Sequence, residues 1–123
     1  MDDISLYEPK YIEYVARDFP KLRMVLGHGG YPYIFQIYHV AYRRKNVYLS
    51  PDGWAFPASP GHEQYGLMAH YALANQMVYG SCYPAVGMQD AIDAFTKVFG
   101  PDEATLKRVF HDNAYKALDW EDK

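Results

Sequence analysis

The sequence holds a single cysteine, Cys82. That excludes an internal disulfide and suits a reducing compartment, so a cytoplasmic location is expected. Positive charge is scarce as well: 12 Lys and Arg stand against 15 Asp and Glu, a formal net charge of −3. No electrostatic footprint for nucleic acid is therefore expected. The nearest basic cluster, Arg43-Arg44-Lys45, closes a helical pattern, where cations offset the negative end of the helix dipole. No apolar stretch approaches the roughly 18 residues of a membrane span, and no charged n-region with an apolar core opens the sequence. Neither a span nor a signal peptide is expected. GxGxxG, P-loop and CxxC patterns are missing too, which leaves nucleotide-loop and structural-zinc readings without support.

What is present is apolar and aromatic. Half of the 123 residues are hydrophobic, with 13 Tyr and 6 Phe against 2 Trp. This suffices for one small domain with a real core. Tyrosine can bury its ring and keep its hydroxyl wet, so this load suits a shallow core or a contact surface. Three short apolar runs each break into a polar, glycine- or proline-bearing turn. They are Leu22–Leu26 into Gly27-His28-Gly29-Gly30, Val47–Leu49 into Ser50-Pro51-Asp52-Gly53, and Met77–Tyr79 into Gly80-Ser81-Cys82-Tyr83-Pro84.

Helical spacing surrounds these runs. Ile12, Val15, Ala16 and Phe19 follow Pro9 at i, i+3, i+4, i+7, and Pro20 stops the pattern. Ile34, Ile37, Tyr38 and Ala41 mark a second helix over 33–44, closed by Asn46. The stretch 54–61 holds two prolines and reads as a loop. A weak stripe (Tyr65, Met68, Ala69, Ala72) predicts a helix over 62–73. Ala91, Ile92, Phe95, Val98 and Phe99 predict another, ended by Gly100-Pro101. Asp102 is placed to cap a last helix that buries Leu106, Val109, Phe110, Ala114, Ala117 and Leu118, with a frayed tail over 120–123. Helix, strand–helix three times, then helix is an α/β order with three parallel strands.

Strands of such folds deliver chemistry from their carboxyl ends, so His28, Asp52 and Cys82 are the candidate site residues. His28 follows an apolar strand directly and can exchange protons near neutrality; Gly29-Gly30 lets a substrate approach. Asp52 has two readings, an ordinary Pro-Asp-Gly turn residue or a pocket residue that orients substrate. Cys82 has three: a small buried apolar residue, a zinc ligand, or a nucleophile with His28 as its base. His39, His70 and His111 sit in helical stretches and read as surface or satisfied histidines. His62 and Glu63 read as a helix start.

Taken in order, these segments resemble the carboxyl-terminal portion of the amidohydrolase-related family of metal-dependent hydrolases and decarboxylases. Asp18-Phe19-Pro20-Lys21-Leu22 running into Gly27-His28-Gly29-Gly30 is similar to the stretch where a helix ends in "FP-x-L" and a strand delivers histidine and glycine. Asn46-Val47-Tyr48-Leu49-Ser50 is similar to the next strand. Met77–Pro84 resembles the last barrel strand, normally "FGSD-YP", and His111–Leu118 the closing helix with its Asn-Ala pair. The resemblance implies a partial (β/α)8 barrel over 1–119 whose three strands correspond to strands six to eight. A closed barrel takes about 200 residues or more.

It further implies a divalent metal, zinc or manganese, with His28 acting beside it as catalytic residue; Asp52, from its place after the second strand, is the second catalytic candidate. Cys82 stands where the family carries a metal-binding aspartate. The family's first-strand His-x-His pair and fifth-strand histidine have no counterpart here. The resulting expectation is a segment of a hydrolase or decarboxylase of small carboxylated or ring substrates, inactive as an isolated chain. The competing expectation is a non-catalytic half-barrel module. Either way, its open strand edges would be covered by a second copy or a partner chain. A stand-alone three-stranded domain with a Cys/His site is the third reading.

Overall fold

The computed structural model describes residues 3–120. A 3-10 turn at Ile4–Tyr7 leads into α1 (Lys10–Asp18), β1 (Met24–Gly27), a 3-10 turn at His28–Gly30, α2 (Ile34–Arg43) and β2 (Val47–Ser50). After a further 3-10 turn at Asp52–Ala55 come α3 (His62–His70), α4 (Met88–Phe99), α5 (Glu103–Lys107), a π turn at Arg108–Asp112 and α6 (Asn113–Leu118). All five expected helices and two of the three expected strands are therefore present. The single last helix is split by the π turn, and Asp102 caps its start by accepting from the Thr105 N–H at 2.9 Å.

β1 and β2 pair in parallel, Met24 opposite Val47 through Gly27 opposite Ser50, with α2 as the crossover. The expected third strand is corrected: among the described residues the sheet has two strands, and Met77 joins β2 through one parallel bridge to Leu49. The reason lies in the next hydrogen bonds. Leu49 N–H donates to Gln76 O at 2.8 Å and Val78 N–H to Leu49 O at 2.9 Å, but Tyr79 N–H turns away to Val109 O at 2.9 Å. The Met77 carbonyl is taken by Asn113 Nδ2 at 2.8 Å. The ladder stops after one residue because Pro51, the next residue that would face this segment, has no N–H to donate, and Gln76 N–H goes to Leu73 O at 2.9 Å. Met77 C=O and Tyr79 N–H lie on the side away from β2.

The core packs α2, α3 and α4 against this short sheet. Ile37, Val47, Leu49, Tyr65, Leu73, Met77, Phe95 and Phe99 are fully buried. Phe95 sits at its centre, edge-on to Tyr79 and Phe56 and stacked on Phe99. α3 meets α4 so closely that a Cβ on Gly66 would lie 2.5 Å from Val98 O. The stripe of α1 departs from expectation: Ala16 is buried, while Phe19 is 61 % exposed. Of the expected tail only Trp120 is described. Trp120 N–H donates to Tyr115 O at 2.9 Å and its ring stands edge-on to Tyr115, while 121–123 lie outside the described residues.

Three carboxamides tie these layers together. Asn46 does not close α2, which ends at Arg43; its Nδ2 donates to the carbonyls of Ala16, Phe19 and Leu22. Asn113 Nδ2 donates to Ala74 and Met77. Gln76, only 3 % exposed, sends Nε2 to Ala41 O and Val47 O at 2.7 Å and to Arg44 O at 3.0 Å. Arg44 in turn pairs with Glu13 of α1, and that guanidinium holds the Glu13 carboxyl below its ordinary range. Gln76→Ala would leave those carbonyls without their donor in a buried place. We expect it to lower unfolding stability by about 2–3 kcal/mol in a urea titration. An unchanged midpoint would show that the clamp carries no net stability.

Candidate active site

His28, Asp52 and Cys82 follow the ends of β1, β2 and the Met77–Tyr79 segment, and their backbones share a rare property. They are three of the four non-glycine residues with positive φ among the described residues, at 59°, 43° and 59°. Side chains seldom adopt this region, and such strain gathers where a structure must aim a group. Each strand end thus turns sharply and presents its polar side chain to the same hollow. The peptide bonds Tyr31–Pro32 and Tyr83–Pro84, just beyond two of these turns, are cis.

His28 and Asp52 form a dyad. Asp52 Oδ2 accepts from the His28 backbone N–H at 3.1 Å and faces His28 Nδ1 at 2.8 Å, with Oδ1 at 3.1 Å from the same nitrogen. Facing a carboxylate, Nδ1 is the donor of the ring, and in the neutral imidazole that tautomer leaves the lone pair on Nε2. Among the described residues no group engages Nε2. The His28 side chain is 66 % exposed and the Asp52 side chain 15 %, so the carboxylate is sheltered while the ring reaches outward. Asp52 thus sits in the turn after β2 and lines the hollow, with its carboxylate against His28.

Behind the dyad lies Tyr65, fully buried, whose hydroxyl donates to Gly29 O at 3.2 Å. Burial, followed by the nearby Asp52 charge, pushes its phenol well above the ordinary range, so it stays a donor. Tyr31 and Trp54 stack at 3.6 Å between ring centroids and form one wall. Cys82 is half-buried, with Sγ 3.4 Å from where a Cβ on Gly53 would sit. Sequence reasoning missed Tyr65, Tyr31 and Trp54 as site residues; Tyr65 had only a weak helical stripe to mark it.

All three candidate residues line an open cavity of about 1020 Å³, whose other walls include Ile4, Leu6, Tyr7 and Val25. The remaining histidines lie elsewhere: His39, His70 and His111 are exposed on helices, and His62 Nδ1 binds Ser59 O at 2.8 Å. A metal finds little here. Both Asp52 oxygens and Nδ1 are committed to each other, leaving His28 Nε2 and Cys82 Sγ. Among the described residues no three His, Cys, Asp or Glu side chains converge to hold an ion. The donor set of the described residues does not fit a metal shell. No described helix is long and apolar enough to cross a membrane.

The family model described as Amidohydrolase matches residues 5–120. The crystal structure of an uncharacterized TIM-barrel protein from Bordetella bronchiseptica superposes with a TM-score of 0.85 at 33 % sequence identity. The match covers 98 % of this chain and 42 % of that one, so the chain spans less than half the length of the barrel protein it resembles. No protein of curated function matches the chain.

Proposed function

We propose a function from one premise: the chain belongs to the amidohydrolase family, whose model spans nearly all of it. Its fold is part of a TIM barrel, and members of the family generally use divalent metals. On that basis the chain is the carboxyl-terminal portion of an amidohydrolase-like hydrolase or decarboxylase acting on small carboxylated or ring substrates. It is inactive alone, because its described residues do not supply a metal shell.

The observation that carries this reading is the His28–Asp52 dyad at the cavity floor. Hydrolysis needs a proton removed from attacking water, and decarboxylation needs one delivered to the carbon that loses CO2. His28 Nε2 serves either role. When it takes a proton the ring becomes a cation 2.8 Å from a sheltered carboxylate, which stabilises it and holds its orientation. Asp52 is a positioning residue, and the apolar wall accepts the substrate ring.

Turnover in two proteins tests the reading. One is the chain alone with zinc or manganese. The other is a chimera in which the chain replaces the matching region of the Bordetella barrel. Assayed on small aromatic and heterocyclic carboxylates, lactones and amides, the chain alone should do nothing and the chimera should turn over. Asp52→Asn should lower the chimera's kcat about 10–100-fold with KM little changed; His28→Ala should lower it at least as much. Turnover by the chain alone, a folded chimera inert on every substrate, or one indifferent to His28→Ala would each overturn the proposal.

A further inference from the structure

We propose that Tyr65 is a positioning residue of the His28–Asp52 dyad: its buried hydroxyl holds the turn after β1 in the one conformation that brings the His28 ring onto Asp52. The chemical use of that ring rests on the reading above; its placement rests on packing and hydrogen bonds inside this chain. His28, Gly29 and Gly30 run through three successive positive φ angles, 59°, 57° and 74°. Two glycines open many other conformations to such a turn, and His28 gains by leaving the left-handed region. The local sequence therefore does not specify this turn. A group outside it must.

Tyr65 is that group. Its hydroxyl donates to Gly29 O at 3.2 Å, and His28 O lies 3.5 Å from the same oxygen. His28 O already accepts from Tyr31 N–H at 3.0 Å, so the main acceptor of the phenol is Gly29 O. A Cβ on Gly29 would lie 2.8 Å from Tyr65 Cε1 and 2.9 Å from Pro51 Cα, so the turn is wedged between the Tyr65 ring and the residue before Asp52. The ring itself is fixed. It is fully buried, and the next residue, Gly66, packs so closely on α4 that a Cβ there would meet Val98 O at 2.5 Å. Burial and the Asp52 charge both oppose ionisation, so the phenol is a permanent donor aimed from rigid helices at the backbone of the site.

Without the hydroxyl, Gly29 O would lose that donor and the two glycines would let the turn relax. His28 would leave its positive φ, and Nδ1 would lose Asp52. An imidazole held by a carboxylate at Nδ1 keeps its proton there, whereas one without that partner favours the proton on Nε2. The tautomer of His28 therefore reports whether Tyr65 sets the geometry. A side chain that only stabilised the core would lower the unfolding midpoint and leave the tautomer of the folded protein unchanged.

The test is the nitrogen NMR spectrum of the neutral His28 ring in the full chain, compared between parent, Tyr65→Phe and Tyr79→Phe. Tyr79 is the control, a phenol whose buried hydroxyl has no hydrogen-bond partner among the described residues. The parent should carry its proton on Nδ1. Tyr65→Phe keeps the ring and its packing and should lower the ratio of the Nδ1–H to the Nε2–H tautomer at least about tenfold, while Tyr79→Phe should leave it unchanged. The same proteins built into the single-chain chimera give a second host for the measurement; there Tyr65→Phe should also lower kcat about tenfold with KM little changed. A parent with its proton on Nε2, an unchanged tautomer in folded Tyr65→Phe, or an equal change in Tyr79→Phe would each overturn the assignment. The tautomer is read without turnover, so a chimera inert on every substrate would sink the catalytic reading and leave this one standing.

Discussion

Gly29→Ala should lower unfolding stability by about 3–5 kcal/mol, a large share of what a domain of this size possesses. Two costs combine. Gly29 has φ +57°, a region that costs a side-chain-bearing residue about 1–2 kcal/mol. A Cβ there would also lie 2.8 Å from Tyr65 Cε1 and 2.9 Å from Pro51 Cα and Cβ. Neither neighbour can yield, because Tyr65 is fully buried and Pro51 is a buried ring on rigid backbone. Overpacking of that kind costs about 1–3 kcal/mol. Displacing Tyr65 would also break its bond to Gly29 O, worth about 1 kcal/mol.

Gly27→Ala is the control. A Cβ at Gly27 meets nothing within 4 Å, so its change should stay below about 1 kcal/mol. Equal urea midpoints for the two variants would show that the Gly29 contact carries no strain. Because Gly29 follows His28, a surviving Gly29→Ala protein should also lose the short His28–Asp52 geometry, seen as a shifted His28 ring signal.

The second large effect is expected at Phe95. This side chain is fully buried and touches four other rings: Phe56, Tyr79, Phe99 and Phe110. Truncation to alanine removes the transfer free energy of the ring and leaves a cavity that the three helices and the short sheet cannot close. A loss of about 3–5 kcal/mol follows. Aromatic contacts of this geometry add about 0.5–1.5 kcal/mol each beyond burial, so the upper half of that range is expected. Met88→Ala, on the same helix but 52 % exposed, should change stability by about 0.5 kcal/mol or less. If both variants unfold at the same denaturant concentration, Phe95 is not the keystone of the core.

The sequence by itself determined the helices, the strand ends and the family. Helical stripes are local: Ile34, Ile37 and Ala41 face one way at fixed spacing whatever surrounds them, and α2 buries all three. Gly100-Pro101 and the Asp102 cap likewise act within a turn or two. The positions of His28, Asp52 and Cys82 could be read because each follows an apolar run that ends in a turn-forming residue. What these residues do to one another could not be read. The His28–Asp52 bond spans 24 residues of sequence, and it exists only because β1 and β2 pair with Gly27 opposite Ser50.

Tertiary structure also decided the third strand. Met77–Tyr79 has the composition of a strand, but it meets β2 only at Leu49: Gln76 N–H goes to Leu73 O, and Pro51, the next residue that would face it, has no N–H to donate. The same holds for α1, whose stripe is as regular as that of α2 yet leaves Phe19 in the open. Periodicity states which face is apolar; only the three-dimensional neighbours decide whether that face is covered. Local rules act over a few residues of chain, whereas burial and hydrogen-bond satisfaction are settled by groups that the sequence separates and the fold brings together.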